Sequence, residues 1–286
     1  IKQYQHIRYI GEDINIADTI VNKNDEINFA IVSLLASQGI TTIEVYKKPK
    51  IAIFSSGEEL RPHFETILPH QIYNSNSPSL IARAKELHCD VEFIGSARDN
   101  LPSLKEHIEK SLDFDFVITS GGVSVGEADF TKEAFLSFGM EYIFNGITIK
   151  PGKPTVFGKI KDTYVLNLPG NPFASQIIFE MFGTMIIQGL RGDKHNSHKV
   201  IKAKLLNDFE NKKGRITLIP GLFDGEYFDI SNKRSPGMVN VLSKCDSFIA
   251  LDSSVCYLKA KQEVNIISIK NKIFTNINKD LLTYEK

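Results

Sequence analysis

The stretch Thr119-Ser-Gly-Gly-Val-Ser-Val-Gly-Glu-Ala-Asp129 follows the apolar run Phe114-Asp-Phe-Val-Ile-Thr119. An apolar run that stops at paired glycines is typical of a buried strand whose end leaves backbone N–H groups free for an anion such as phosphate. Two carboxylates, Glu127 and Asp129, then stand at the start of a helical pattern over residues 130–138. Glycines for an anion and acids for a cation together predict a phosphate ester bound with a divalent metal.

Length and charge limit the classes of function. The chain has 286 residues, which favours two domains with an extra segment. Its 34 Lys and Arg balance 34 Asp and Glu, so no overall positive field attracts nucleic acid or a membrane, and any anion site must be local. The chain has three widely spaced cysteines and no apolar run of 18 or more residues. These features favour a reducing cytoplasm and predict neither a nucleic-acid nor a membrane partner.

The periodicity divides the chain into three parts. Residues 1–47 are predicted to be a linker with a helix over Asp25–Gln38. Residues 48–192 alternate short apolar strands with helices, which predicts a mostly parallel sheet between two helical layers. One of these helices is expected to be capped and started by Asn76-Ser-Pro78. Residues 193–286 have a period of two, which predicts a small all-β barrel.

The unusual loops all follow predicted strands of the α/β domain. They cover residues 55–60, 95–100, 120–129 and 169–172. Ligands of such sheets bind outside the carboxyl ends of the strands. The sequence therefore predicts one shared site at that edge.

Two proline-stiffened motifs add to this site. Lys150-Pro-Gly-Lys-Pro154 places two ammonium groups three residues apart, which suits a polyanion. In Leu168-Pro-Gly-Asn-Pro172 the glycine allows a ligand to approach the backbone at the start of a helix. Each motif also has an ordinary explanation as a turn.

Other polar groups are less specific. The acids of Ser55-Ser-Gly-Glu-Glu59 could cap a helix, and Arg98-Asp99-Asn100 and Gly11-Glu-Asp13 are by residue type more typical of caps than of ligands. The seven histidines show no ligand spacing. The Ser-Gly-Gly serine lacks the G-x-S-x-G pattern of a nucleophile elbow, which argues against that class of hydrolase.

Together these loops resemble the MoeA family, the molybdopterin molybdenumtransferases, which are related to the E domain of gephyrin. The resemblance covers roughly residues 7–269, and its last three loop motifs are specific in order and spacing. The barrel region also resembles the family at Ser235-Pro-Gly and Lys261-Gln-Glu-Val. The matching loop motifs are Gly11-Glu-Asp-Ile14, Phe54-Ser-Ser-Gly-Glu-Glu-Leu60, Ile72-Tyr-Asn-Ser-Asn76, Thr119–Asp129, Ile149-Lys-Pro-Gly-Lys-Pro154 and Leu168-Pro-Gly-Asn-Pro172.

This resemblance implies a fold and a reaction. The fold would be a molybdopterin-binding sheet of the MogA and MoaB type followed by the barrel. The reaction would insert molybdate into adenylated molybdopterin and release AMP, with Mg²⁺ required. A homodimer would be expected, with the active site between subunits, and a molybdopterin adenylyltransferase would be a candidate pathway partner.

Site residues are carried over motif by motif. The acids implicated in activity would be Asp13, Glu59, Asp99 and Asp129, of which Glu59 and Asp129 would bind the metal. The residues expected to bind the substrate lie in the Ser-Gly-Gly loop, the lysine loop and the Pro-Gly-Asn-Pro turn: Ser120, Gly121, Gly122, Ser124, Gly126, Glu127, Lys150, Lys153, Pro169, Gly170, Asn171 and Pro172.

The chain departs from the family at three points. Glu58 and Asn74 stand where the family often has Asp, which would alter hydrogen bonding to a ligand. The family's N-terminal portion with its M-D-G-Y-A motif is not in this sequence. The chain is therefore expected to be N-terminally truncated and to lack residues needed for activity.

Three other functions stay open. A molybdopterin adenylyltransferase would match only residues 48–190, and the two proline motifs with a following barrel favour the molybdenumtransferase. A non-catalytic scaffold like the gephyrin E domain is the second alternative. A nucleotide-binding redox protein is disfavoured because no G-x-G-x-x-G follows the first strand.

Overall fold

The computed structural model describes residues 4–122 and 128–270. The helices are α1 (Phe29–Ser37), α2 (Asn76–Glu86), α3 (Leu101–Ser111), α4 (Ala128–Ser137), α5 (Pro172–Ile178) and α6 (Thr184–Leu190), with a π-helical turn at Phe179–Gly183 between the last two. The strands are β1 (Lys50–Ser56), β2 (Leu60–Arg61), β3 (Ile72–Tyr73), β4 (Asp90–Ala97), β5 (Phe116–Ser120), β6 (Glu141–Asn145), β7 (Ile149–Lys150), β8 (Val156–Ile160), β9 (Thr163–Leu168), β10 (Val200–Leu205), β11 (Phe209–Glu210), β12 (Ile216–Phe223), β13 (Tyr227–Ile230), β14 (Ser247–Leu251), β15 (Tyr257–Leu258) and β16 (Glu263–Ser268).

The first sheet has the order β4-β1-β5-β9-β8-β6. Its first four strands are parallel to one another, and β8 runs antiparallel to both of its neighbours, β9 and β6. Side chains of β1 alternate between two cores: Ile51 and Ile53 pack on one face, and Ala52 and Phe54 on the other. A sheet that is buried on both faces needs apolar side chains at successive positions, which explains the continuous apolar run of β1. The predicted three-layer, mostly parallel α/β architecture is confirmed.

A closed barrel follows this sheet. Its strands have the order β13-β10-β16-β14-β12, and pairing of β12 with β13 closes the ring. The predicted small all-β barrel is therefore confirmed. Strand β7, which was not predicted, comes from the lysine loop and pairs in parallel with β12. The barrel thus extends back into the α/β region, whereas the predicted boundaries at residues 48 and 193 stay a prediction.

Some predicted element bounds are wrong, for local reasons. The helix predicted over Asp25–Gln38 begins only at Phe29, because the Asn28 side chain accepts hydrogen bonds from the Ala30 and Ile31 amides and so caps it there. Strand β1 continues through Ser55 and Ser56, which pair with β4. Asn76 does not cap α2, since the N-cap is Ser75, which makes no side-chain cap bond.

The helical stretch Pro172–Leu190 is long and apolar enough to cross a membrane by length and composition alone. In this fold Phe173, Ile177 and Phe179 are buried in the core shared with the first sheet. This is the usual arrangement of a core helix between packed elements.

Candidate active site

The loops predicted to converge leave one edge of the first sheet. Ser55 of β1 pairs with both Ser96 of β4 and Ser120 of β5, and Ser120 pairs with Leu168 of β9. Because these strands are parallel and in register, their carboxyl ends lie side by side. The loops that follow Ser56, Ala97, Ser120 and Leu168 therefore start within a few strand widths of one another.

The lysine loop reaches the same edge from the other direction. Val156 of β8 pairs antiparallel with Asn167, so β8 begins where β9 ends. Gly152 lies in the left-handed region at φ +128°, and a Cβ there would be 2.5 Å from Cδ1 of Ile178. This close approach fixes the loop on the core helix while Lys150 and Lys153 stay exposed. The arrangement provides the local cationic group that the balanced net charge requires.

The paired glycines allow close packing. Gly121 and Gly122 both have positive φ, at +95° and +64°. A Cβ on Gly121 would lie 2.2 Å from the Ser56 carbonyl oxygen, and one on Gly122 would lie 2.4 Å from Ser56 Oγ and 2.5 Å from Thr131 Oγ1. Only glycine fits such a conformation and such contacts.

The backbone N–H of Gly121 is hydrogen-bonded within the fold. The Gly121 N–H was expected to be free for an anion, but it donates to the Leu168 carbonyl at 3.3 Å. Ser120 is buried at the end of β5. The described part of this loop thus joins β5 to β9, and Ser124, Gly126 and Glu127 lie outside the described residues.

The Pro-Gly-Asn-Pro turn is held by the barrel. The first free N–H groups of α5, those of Phe173 and Ala174, both donate to the Pro236 carbonyl, at 3.0 and 3.4 Å. Helix N-termini with free N–H groups bind anions, but here a barrel carbonyl already accepts these bonds. Pro169 is buried, Pro172 is half-buried, and Gly170 and Asn171 are exposed. The turn therefore offers its surface, and not its helix end, to a ligand.

A buried polar network supports this edge from below. Asn74 Nδ2 donates to Ser55 Oγ and to Ser77 Oγ, each at 3.0 Å, and its Oδ1 accepts the Ser77 amide. Ser55 Oγ also lies 2.8 Å from Ser96 Oγ. An aspartate at position 74 could not donate these bonds when ionised, so the departure from the family noted at Asn74 has a structural role.

Asn76 connects α2 to the Pro-Gly-Asn-Pro turn. Its Nδ2 donates to the Gly170 carbonyl at 2.8 Å, and the residue is only 7% exposed. Its Oδ1 is buried, and no donor among the described residues reaches it. A buried acceptor without a donor is unfavourable by about 1–3 kcal/mol, so native structures rarely keep one without a reason.

Two of the predicted acids lie on neighbouring loops. Asp99 Oδ2 accepts the Glu58 amide at 3.2 Å, which ties the loop after β4 to the loop after β1. Glu59 is exposed, and its carboxylate lies over Gly57, with Oε2 2.9 Å from an ideal Cβ there. Asp99 thus has a positioning contact in addition to any role with substrate.

Of the two acids predicted to bind a metal, the structure describes the side chain of Glu59 only. Asp129 belongs to the first turn of α4, but its side chain lies outside the described residues. Within residues 4–122 and 128–270 no group of three or more His, Cys, Asp or Glu side chains is placed to hold a metal ion. The pairing of Glu59 with Asp129 stays a prediction.

Asp13 belongs to a different part of the molecule. Its segment is attached through Asn24, whose Nδ2 donates to the Gly192 carbonyl, and through an ion pair between Asp25 and Lys194. Gly192 follows the far end of a 19-residue helical stretch that begins at Pro172, a length of about 28 Å. The segment therefore contacts the body of the protein at the end away from the candidate site.

An open cavity of about 1000 Å³ lies beside this attachment, lined by residues 21–27 and 43–48 together with His88 and Arg191–Asp193. Its walls mix lysines with acids, and Asp25 is already paired with Lys194. The cavity is not part of the site at the sheet edge.

Sequence reasoning missed Asn76 and Pro236 as members of the site. Asn76 was predicted to cap a helix and stood in a motif that matches the family, but it was not assigned to the site. Its place at the start of a helix after a strand was a usable signal. Pro236 acts through its backbone carbonyl, which no side-chain pattern can reveal.

Several known proteins are similar to this chain. A family model described as "Probable molybdopterin binding domain" matches residues 52–188. The molybdopterin molybdenumtransferase of Staphylococcus epidermidis is 30% identical over 291 residues, which cover 96% of this chain and 67% of that protein. The molybdopterin molybdenumtransferase of Haemophilus influenzae is 38% identical over 194 residues, which cover 68% of this chain and 48% of that protein.

A solved structure agrees with the fold. The molybdopterin biosynthesis MoeA protein of Pyrococcus horikoshii superposes with a TM-score of 0.80 at 31% identity, covering 92% of this chain and 65% of that one. The chain thus spans between 48% and 67% of the length of these relatives.

Proposed function

Since the chain belongs to the molybdopterin molybdenumtransferase family, we propose that it inserts molybdate into adenylated molybdopterin and releases AMP. The single observation that carries this proposal is the meeting of five polar loops at one sheet edge, with the exposed lysines of the Lys-Pro-Gly-Lys-Pro loop among them. Molybdate and the phosphoanhydride are both anionic, and ammonium groups act on such oxygens as point charges.

The residues at this edge have distinct tasks in the proposed reaction. Lys150 and Lys153 would bind anionic oxygens and stabilise the negative charge that develops as AMP leaves. Gly170 and Asn171 would present an exposed turn surface that orients the substrate, while Pro236 keeps that turn fixed. The dithiolene sulfurs that receive molybdenum belong to the substrate, so none of the three free cysteines is required.

We also propose Mg²⁺ as the metal. The oxygen donors suit it, since Mg²⁺ is usually held by one or two carboxylates together with substrate phosphates and water. Glu59 and Asp129 would hold the ion, and it would neutralise charge on the phosphoanhydride. The lack of a larger ligand cluster among the described residues fits a metal held mainly by substrate and water.

A homodimer belongs to the same proposal. The segment that carries Asp13 is attached far from its own sheet edge and leaves Ile16 and Phe29 100% and 89% exposed. Many exposed apolar side chains in one segment are typical of an interaction surface, and a second copy would cover them and bring Asp13 to the partner's site. The cytoplasm is the proposed location, and a molybdopterin adenylyltransferase would supply the substrate.

The reaction is tested by anaerobic incubation of the full chain with adenylated molybdopterin, Mg²⁺ and molybdate, with AMP measured by chromatography. Lys153→Ala should lower the rate at least tenfold, because one charge-assisted contact is lost. Lys159→Ala is the matched control: Lys159 lies on β8 of the same sheet, and its ammonium contacts the exposed Asp162 and the Tyr164 ring. No AMP from the native chain would reject turnover by this chain and would agree with the expected lack of residues needed for activity. Adenylation of molybdopterin with Mg-ATP would favour the adenylyltransferase instead.

Complementation tests the dimer. Asp13→Ala and Lys153→Ala chains should each be weak alone, and mixing them should restore part of the activity, since a mixed dimer contains one intact site. Mixed chains that stay as weak as either variant would show that the two residues do not serve one shared site.

A further inference from the structure

Asn76 is a buried amide with only one of its two side-chain polar atoms hydrogen-bonded among the described residues. The residue is 7% exposed, and its Nδ2 donates to the Gly170 carbonyl at 2.8 Å. Its Oδ1 is shielded from solvent and has no donor among the described residues. This atom sits at the candidate site, yet the reaction as set out above does not use it.

The orientation of the amide is fixed by chemistry. The Gly170 carbonyl can only accept, so the nitrogen and not the oxygen of Asn76 must face it. The two polar atoms of one amide are about 2.3 Å apart. Oδ1 therefore lies within about 5 Å of the Gly170 oxygen and cannot turn away without breaking the bond to the turn.

The neighbouring asparagine shows what a purely structural amide looks like here. Asn74 uses both of its polar atoms, donating to Ser55 and Ser77 and accepting the Ser77 amide. Asn76 stands two residues further on and leaves its acceptor open. Since buried acceptors are nearly always satisfied, a donor from outside the described fold is the natural complement.

We propose that Asn76 Oδ1 accepts a hydrogen bond from an N–H group of a heteroaromatic base of the substrate, either the lactam or amino N–H of the pterin or the 6-amino group of adenine. This inference rests on the proposed function and deepens it. Phosphoanhydride and molybdate oxygens are acceptors, so they cannot satisfy Oδ1. The edge is thereby divided into lysines for the anionic part of the substrate and Asn76 for a neutral heteroaromatic ring.

The test is anaerobic titration calorimetry of the full chain with two separate probes, free molybdopterin and AMP. Asn76→Ala should weaken binding of one probe about five- to tenfold, the effect of one neutral hydrogen bond, and leave the other unchanged. The probe that responds identifies the half of the substrate, pterin or nucleotide, that Asn76 contacts.

Ser79→Ala is the matched control. Ser79 lies one turn further along α2, and its Oγ accepts from Gln176 Nε2 at 3.0 Å, so this variant also removes one side-chain hydrogen bond between α2 and the Pro172 helix. It should bind both probes like the native chain. Equal weakening by Ser79→Ala and Asn76→Ala would overturn the proposal, because helix anchoring would then explain both.

Asn76→Asp provides a pH-dependent readout for each probe, and it decides the question if Asn76→Ala does not fold. A protonated carboxyl donates to Gly170 and keeps an acceptor, whereas an ionised one opposes the Gly170 carbonyl. Its affinity for the responding probe, relative to the native chain, should therefore rise as the pH is lowered. A flat ratio would overturn the proposal, and so would an equal pH dependence for the two probes, because loss of the Gly170 anchor would then explain it.

The remaining outcomes separate this inference from the proposed function. If the native chain binds a probe and Asn76→Ala binds both probes equally well, only the role of Asn76 is overturned. If the native chain binds neither probe, the proposed function fails and the role of Asn76 fails with it.

Discussion

The barrel and the N-terminal segment attach to the same α/β sheet in different ways. The barrel shares one apolar core with the sheet, in which Val241 and Phe248 pack in the same cluster as Ile177. Among residues 4–46 the structure buries one apolar side chain, Leu35, and leaves Ile16 fully exposed. A shared core makes barrel and sheet one cooperative body, whereas a segment held by polar contacts can leave its place at little cost.

A buried ion pair adds to the barrel junction. Arg83 of α2 binds both carboxylate oxygens of Glu180 in the π-helical turn, at 2.8 and 3.0 Å. The same guanidinium donates to the Ile269 carbonyl at 2.8 Å, just after the last barrel strand. One side chain thus joins a sheet helix, the core helix and the end of the barrel.

Arg83→Leu is expected to break this junction with the largest effect. It should lower the free energy of unfolding by about 3 kcal/mol, because Glu180 is left buried without its partner. The Arg83 side chain is 25% exposed and that of Glu180 9%, which places the loss at the low end of the range for buried pairs. Urea denaturation followed by circular dichroism measures it.

The variant should also acquire a pH dependence. Burial raises the pKa of Glu180, and the hydrogen bonds from Arg83 oppose this rise. Without Arg83, the pKa of Glu180 in the folded state should lie further above its value in the unfolded chain. A group whose folded-state pKa is raised stabilises the fold below its unfolded pKa and loses that contribution as pH rises through the folded-state pKa. The variant should therefore lose stability relative to the native chain as pH rises above the ordinary range of a glutamate.

Glu86→Gln is the control for this pair. Glu86 also contacts Arg83, at 2.9 Å, but its side chain is 66% exposed. The change should alter stability by less than about 0.5 kcal/mol. If Arg83→Leu were as stable as Glu86→Gln at every pH, the junction would not depend on the buried pair.

Gly121→Ala should have an effect of about the same size. It places a methyl group 2.2 Å from a backbone oxygen at φ +95°, so strain and crowding act together and should cost about 3 kcal/mol in total. Gly139→Ala separates the two causes, since Gly139 has φ +79° with nothing within 4 Å of its Cβ. It should cost only about 1 kcal/mol. Equal thermal shifts for the two variants would contradict the crowding between β1 and β5.

Lys194→Ala tests how the N-terminal segment is attached. It removes the ion pair that holds Asp25, and the unfolding midpoint should not change because the body keeps its core. Limited proteolysis within residues 4–46 should become faster. The Lys194 hydrogen bond lowers the pKa of Asp25 to about 2, so the contact should hold at mildly acidic pH and be lost only as pH falls toward that value. A clear fall in the midpoint would show that the segment belongs to the cooperative body.

Thiol labelling perturbs the molecule least. Burial raises the pKa of Cys89 to about 11 and also raises that of Cys245, and both residues belong to the core shared by sheet and barrel. Cys256 is exposed. Iodoacetamide near neutral pH should therefore add one label per native chain, counted by mass spectrometry. Rapid labelling of Cys89 in the native chain would mean that the shared core opens.

The sequence by itself determined the two architectures and the edge at which the site lies. Continuous apolar strands such as Ile51–Phe54 require burial on both faces, and the period-two strands after residue 193 require a one-sided core. Each of these patterns is local, and local chemistry is enough to indicate it. The motif loops could be assigned to one edge because parallel strands end together.

Only the tertiary structure decided which atoms at that edge are free and which are already bonded. The Gly121 N–H donates to the Leu168 carbonyl, and the first N–H groups of α5 donate to the Pro236 carbonyl. Asn76 Oδ1, in contrast, has no donor among the described residues. These partners lie about 45 to 95 residues apart along the chain, as in Gly121 with Leu168 and Asn76 with Gly170. A hydrogen bond depends on distance and direction in space, which residue types and spacings do not carry.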